Sequence, residues 1–227
     1  MRVLAIDTAL AACSAAVLDT AGGGIVASES LPMIRGQAEA LMPLVARVMK
    51  ASGIGFADLD RVAVTTGPGS FTGLRVGLAA ARGLGLAAAI PVIGVSTLSA
   101  YAAPYLGVDD KTAVVVAIDA RHAQVYLQAF GPSGATLVAP RLAPLSEATR
   151  AAAAARSRIV GSAAQAVADA LSKSDPSPVT VDARPAPDIG WVAQIGAVVS
   201  EAAAPPKPQY LRAPDAQPQN AASLPRR

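Results

Sequence analysis

The chain has 227 residues, 52% of them hydrophobic and only 15% charged, which excludes a mostly disordered protein and permits either one large domain or two small lobes. A single cysteine, Cys13, and a single histidine, His122, exclude an internal disulfide framework and a paired-histidine metal site. The net charge of +3 sits in the C-terminal segment, where Lys207, Arg212, Arg226 and Arg227 outnumber Asp215, so the body is near neutral and does not read as a protein that binds nucleic acid unaided.

Val3 to Asp7 is a short apolar run ending in a carboxylate, the pattern of a buried strand. Ser14–Asp19 and Ile25–Leu31 follow as strands around the turn-rich Thr20-Ala-Gly-Gly-Gly24. Gln37–Ser52 reads as a helix, because Leu41, Leu44, Val45, Val48 and Met49 recur at helical spacing, and Gly53 is a natural stop. Arg61–Thr65 is a strand, Thr66 to Phe71 a loop, Thr72–Ala88 a second helix, Pro91–Val95 a strand and Ser96–Ala103 a short helix. The apolar stretch from Leu74 to Val95 holds Arg75, Arg82 and Pro91 and is therefore a buried helix and strand, not a membrane span. No signal-peptide pattern is read, and a cytoplasmic location is the default expectation.

The order then repeats. Ala113–Asp119, Ala123–Phe130 and Thr136–Pro140 are expected strands, Glu147–Arg156 a helix, Arg158–Val160 a strand and Ala163–Ser172 a helix. Both halves read βββαβα, and Ala5-Ile6-Asp7 in the first corresponds to Ala117-Ile118-Asp119 in the second. Two copies with matching order predict a duplicated α/β architecture of the actin-like class and not a solenoid, which needs at least three repeats. The expected division is an N-terminal lobe over residues 1–108, a C-terminal lobe over 109–212 that includes a final helix at Ile189–Ala203, and a disordered basic tail over 213–227.

In an actin-like nucleotide-binding protein, an Asp at the end of the first strand holds a hydrated metal and the following hairpin wraps phosphate with its backbone. Here neither hairpin, Asp7 to Ser14 or Asp119 to Gln124, contains glycine, so close backbone approach to phosphate is harder. The alternative is that Asp7 and Asp119 merely end strands. Gly67-Pro68-Gly69-Ser70-Phe71-Thr72-Gly73 precedes a helix and lacks the Lys-Ser/Thr ending of a P-loop; Ser70 or Thr72 either caps that helix or helps to bind an anion. The candidate nucleotide contacts are accordingly Asp7, Thr8, Gly69 and Ser70, in a degenerate site. No catalytic residue, metal ligand or cofactor is expected.

The second helix is unusually rich in small residues: Gly73, Gly77, Gly83 and Gly85 stand among five alanines. Interior glycines cost roughly 0.5–1 kcal/mol each relative to alanine, so something must offset them. Tight internal packing and a partner-binding helix pair are both open.

Several segments together resemble the TsaB (YeaZ) family, the small subunit of the bacterial machinery that makes N6-threonylcarbamoyladenosine on tRNA. They are Leu4–Thr8, Gln37–Leu44, Thr65–Gly77, Gly94–Leu98, Ile118–Arg121 with Val125-Tyr126, and Pro208–Arg212. The resemblance implies an actin-like fold shared with the catalytic paralogue TsaD. That paralogue carries a metal-binding histidine pair in the segment matching Ser96–Tyr105, where this chain has Ser96, Ser99 and Ala100. The implied role is a non-catalytic scaffold that binds a TsaD-type subunit, assembles with a TsaE-type ATPase and meets tRNA through the complex, with a homodimer possible and no membrane involved. Its two N-terminal-lobe helices would form the interface, with Leu41, Leu44, Val45, Val48, Gly73, Gly77, Ala80 and Leu84 as contact candidates. On that basis Leu41→Glu or Ala80→Glu should break the heterodimer and leave the fold intact. The family often has histidine where this chain has Gln37. The alternative function is an independent actin-like ATPase or small-molecule kinase.

Overall fold

Val3-Leu4-Ala5-Ile6 is apolar at every position, so a strand there must be covered on both faces. The computed structural model, which describes residues 1–171 and 178–212, meets that demand twice over. The first half comprises β1 (Arg2–Asp7), β2 (Ala12–Asp19), β3 (Gly24–Pro32), α1 (Gln37–Ser52), β4 (Arg61–Gly67), α2 (Phe71–Ala88), β5 (Val92–Ser96) and α3 (Thr97–Ala102). The second comprises β6 (Ala113–Asp119), β7 (Gln124–Phe130), β8 (Thr136–Pro144), α4 (Leu145–Ala153), β9 (Ser157–Val160), α5 (Ala164–Asp169), β10 (Thr180–Asp182) and α6 (Ile189–Val198). The two sheets have the same strand order, β3-β2-β1-β4-β5 and β8-β7-β6-β9-β10. In each, an antiparallel meander continues into parallel strands across the middle, with Asp7 opposite Ser14 and Asp119 opposite Val125 at the hairpin ends. This is the duplicated actin-like fold.

Alternation along the central strands divides the core. Leu4 and Ile6 of β1 face α1 and α2, while Val3 and Ala5 face α6. In β6, Val115 and Ala117 face α4 and α5, while Val114, Val116 and Ile118 meet Leu98, Tyr101 and Ala102 of α3. Each half therefore lends its last helix to the other half's sheet. The final helix, expected to belong to the C-terminal lobe, lies against the first sheet; Ile189, Val192 and Ala193 bury against Val3, Ala5 and Ala63. Sequence order could not reveal that exchange, because helical periodicity names a buried face and not the sheet that covers it.

Other boundaries moved less. β8 runs four residues beyond the expected Pro140, β10 had no counterpart, α5 is shorter than expected, and α6 stops at Val198 before a single 3-10 turn at Glu201–Ala203. β10 was missed because three half-buried residues leave no period to read. The proposed tail over 213–227 lies outside the described residues. Among the described residues no helix is long and apolar enough to cross a membrane.

Candidate functional site

The end of β1 is where an actin-like site would begin, and it is closed. Asp7 is fully buried. Its Oδ1 accepts hydrogen bonds from the Thr65 hydroxyl at 2.6 Å and the Ala9 N–H at 2.9 Å. Its Oδ2 is buried with no hydrogen-bond partner among the described residues. Burial pushes the Asp7 carboxyl above its ordinary value, against the opposing effect of those two donors. Thr8 is enclosed as well; its hydroxyl donates to the Gly73 carbonyl at 2.7 Å.

Helix α2 does the enclosing. Ser70 caps it by accepting from the Gly73 N–H at 3.3 Å, and the Ser70 N–H donates to the Ala9 carbonyl at 2.7 Å. A Cβ on Gly73 would lie 2.0 Å from the Thr8 carbonyl oxygen, and one on Gly77 would lie 2.6 Å from Thr8 Oγ1. The small residues thus let the helix start sit on the first hairpin. Of the two readings left open above, internal packing accounts for Gly73 and Gly77. The backbone that would wrap a phosphate is instead wrapped around α2.

A cleft of about 750 Å³ does exist, between the halves. Ala9, Leu10, Gly69, Ser70 and Phe71 line it from the first half, and Asp119, Arg121, His122, Tyr126 and Ser162 from the second. Of the four candidate nucleotide contacts, Gly69 and Ser70 therefore face the cleft, while Asp7 and Thr8 are shut behind it. The second hairpin is more open. Asp119 is exposed; its Oδ1 accepts from the Arg121 N–H at 2.8 Å, and its own N–H donates to Ser162 Oγ at 3.0 Å. Arg121, His122 and Ala123 all have positive φ, between 53° and 63°, a conformation costly for side-chain-bearing residues.

One wall of the cleft was not foreseen. After α6 the chain runs back as an extended strap. The Gly94 N–H donates to the Ala204 carbonyl at 2.8 Å, Arg82 donates to the Pro206 carbonyl, and the Gln209 N–H donates to the Thr66 carbonyl at 2.7 Å. Tyr210 then stacks on Phe71 with ring centroids 5.3 Å apart. Arg212 reaches the second half, donating to the Ala120 carbonyl at 2.8 Å and to Gln124 Oε1 at 2.9 Å. The strap holds the strained hairpin to the first half. Its only sequence signal was the resembling segment Pro208–Arg212, to which no role was attached.

Six of the eight interface candidates, all but Ala80 and Leu84, are buried within the fold itself. Leu41, Leu44, Val45 and Val48 point into the protein's own core with Leu4, Ile6, Val62 and Val64, because the stripe that marks an amphipathic helix is the stripe the sheet covers. Burying each such side chain contributes roughly 1.5–3 kcal/mol. Gly73 and Gly77 are buried beneath Thr8, and Ala80 and Leu84 are half-buried against the same core. Leu41→Glu would thus disrupt the fold itself, contrary to the expectation above. What α1 and α2 present outward is a different set: Met42 at 45% and Leu86 at 85% relative exposure, with Pro43, Ala46, Ala79 and Gly83 exposed around them.

Comparison with known proteins bears on this geometry. The family model described as TsaD: tRNA N6-adenosine threonylcarbamoyltransferase matches residues 16–172. The chain is 41% identical to the Escherichia coli (strain K12) tRNA threonylcarbamoyladenosine biosynthesis protein TsaB over 126 residues, 56% of this chain and 53% of that protein; the match thus spans about half of that relative's length. It is 36% identical over 216 residues to an uncharacterised protein of Mycobacterium tuberculosis (strain H37Rv), covering 95% of this chain and 94% of the other. The solved structure of YeaZ from Pseudomonas aeruginosa superposes with a TM-score of 0.75 at 27% identity, over 92% of this chain and 99% of that one.

Proposed function

Because the chain belongs to the TsaB (YeaZ) family, we propose that it serves in tRNA threonylcarbamoyladenosine biosynthesis as a non-catalytic subunit that binds a TsaD-type catalytic subunit. In this reading a TsaE-type ATPase completes the assembly. The observation that carries it is the closure of the first hairpin. An independent ATPase or kinase of this fold needs the carboxylate after β1 beside a metal-bound nucleotide, and here Asp7 is enclosed, with the Thr8 hydroxyl committed to Gly73. The scaffold role draws further support from the apolar outer face of α1 and α2, where the described residues leave Met42, Pro43, Ala46, Ala79 and Leu86 exposed. A second copy of this chain is the competing occupant of that face.

The test is co-expression with the TsaD-type subunit, followed by reconstitution of tRNA modification with and without this chain. Met42→Glu together with Leu86→Glu should leave the circular dichroism spectrum unchanged and abolish co-purification. Full co-purification of that variant, or modification that never depends on the chain, would defeat the reading.

A further inference from the structure

The near-neutral body conceals an uneven distribution of charge. Among the described residues, ion pairs engage Arg2, Arg47, Arg141, Arg158 and Arg184. Among those residues Arg35, Lys50, Arg61, Lys111, Arg150 and Arg156 have no ion pair, but Arg75, Arg82, Arg121, Lys207 and Arg212, which also have none, are set apart by following one track. Arg82 of α2 donates to the carbonyl of Pro206, the strap residue next to Lys207. Arg75, one helical turn after Phe71 on α2, lies with its guanidinium 3.7 Å from the Phe71 ring centre, and the Phe71 ring packs against Tyr210 of the strap. Arg212 closes the strap onto the second hairpin at Ala120 and Gln124, beside Arg121.

The track also has rings. Phe71 and Tyr210 are 46% and 45% exposed, and both face the cleft with Arg121, His122 and Arg212. Only three other residues of the 227 are tyrosine and two phenylalanine, so an exposed pair bracketed by unpaired arginines is not a general surface property. Among the described residues, Asp119 in the cleft and Glu201 beside Arg82 are the acids that line the same track, and they leave a cationic excess. From Pro206 to Arg212 an extended strap reaches at most about 25 Å, long enough to follow several nucleotides.

We propose that the strap from Pro206 to Arg212, with Arg75 and Phe71 of α2 and Arg121 of the second hairpin, is a direct contact surface for single-stranded RNA. Arg75, Lys207 and Arg121 neutralise phosphates, and the Phe71–Tyr210 pair offers a ring face for an unstacked base. The proposal rests on the reading that this chain works on tRNA and adds a contact of its own to those the catalytic partner supplies. Arg212 is left out of the tested set because it also holds the hairpin.

The experiment uses the full chain and a fluorescein-labelled oligouridine of about a dozen nucleotides, long enough to cover the track. Anisotropy titrations from low to physiological salt give affinity and salt dependence. Reversing Arg75, Lys207 and Arg121 to Glu should weaken binding by about tenfold or more and flatten the salt dependence by about 0.7 per lost phosphate contact. The same change in net charge made at exposed Lys50, Lys111 and Arg156 should cost less than about twofold, since unspecific attraction is screened within a Debye length. Tyr210→Ala should weaken binding with the salt slope unchanged, and Tyr210→Phe should restore it. Equal losses in the two charge-reversal sets, no binding by the unaltered chain, or an unaffected Tyr210→Ala each overturn the proposal. Retained co-purification with the TsaD-type subunit would show that only this proposal, and not the scaffold reading, had failed.

Discussion

Gly73 and Gly83 lie on the same helix, and their surroundings predict opposite outcomes for the same substitution. A Cβ at Gly73 would come within 2.0 Å of the Thr8 carbonyl oxygen, a distance that must open by about an ångström before ordinary contact is restored. Both sides of that contact are backbone, the first turn of α2 and the end of β1, so neither relaxes by rotating a side chain. Overpacking of this kind costs about 1–3 kcal/mol, and the shift would also stretch the Thr8 to Gly73 hydrogen bond. The intrinsic preference of a helix for alanine returns about 1 kcal/mol at most. Gly73→Ala should therefore destabilise the protein by roughly 1–2 kcal/mol net, equivalent to several degrees in Tm for a chain of this size. At Gly83 nothing lies within 4 Å of the added methyl, so Gly83→Ala should stabilise by about 0.5–1 kcal/mol. Urea unfolding followed by circular dichroism measures both. If Gly73→Ala raised the urea midpoint as Gly83→Ala does, the claim that α2 is seated on the first hairpin would be wrong.

Two further outcomes follow from buried titratable groups. The Asp7 carboxyl has its pKa raised by burial in the folded chain, so its contribution to stability is present below the ordinary carboxylate range and lost as pH rises through the folded value. Asp7→Asn, which keeps an acceptor for Thr65 and Ala9, should raise stability at neutral pH and flatten its decline from acid to neutral; a variant less stable than the parent at pH 7 refutes the assignment. Burial, reinforced by the nearby Asp7 charge, pushes the Cys13 thiol up to about 11. Cys13 should resist a disulfide reagent at pH 8 in the native protein and react only on unfolding, and rapid native labelling would contradict its enclosure.

Much of the architecture was legible in residues taken alone. Unbroken apolar runs such as Val3 to Ile6 and Ala113 to Ile118 announced strands buried on both faces, the stripe from Leu41 to Met49 announced α1, and Gly53 ended it in the left-handed conformation expected of a C-cap. The recurrence of Ala-Ile-Asp revealed the duplication, which the identical strand orders of the two sheets carry through. These features are local or periodic, and the chain's own chemistry states them.

What only the tertiary structure decided was which surface each residue serves. Periodicity identified Leu41, Leu44, Val45 and Val48 as one face but could not say whether a sheet or a partner covers it; the sheet does. The glycines of α2 were equally ambiguous until Gly73 and Gly77 met Thr8, more than sixty residues away along the chain. Nothing local stated what the strap does, since Gln209, Tyr210 and Arg212 act through Thr66, Phe71 and Ala120, all distant in sequence. Near-neutral composition likewise hid an alignment of unpaired cations that exists only once α2, the strap and the second hairpin are brought together. Composition adds charges up, whereas folding places them.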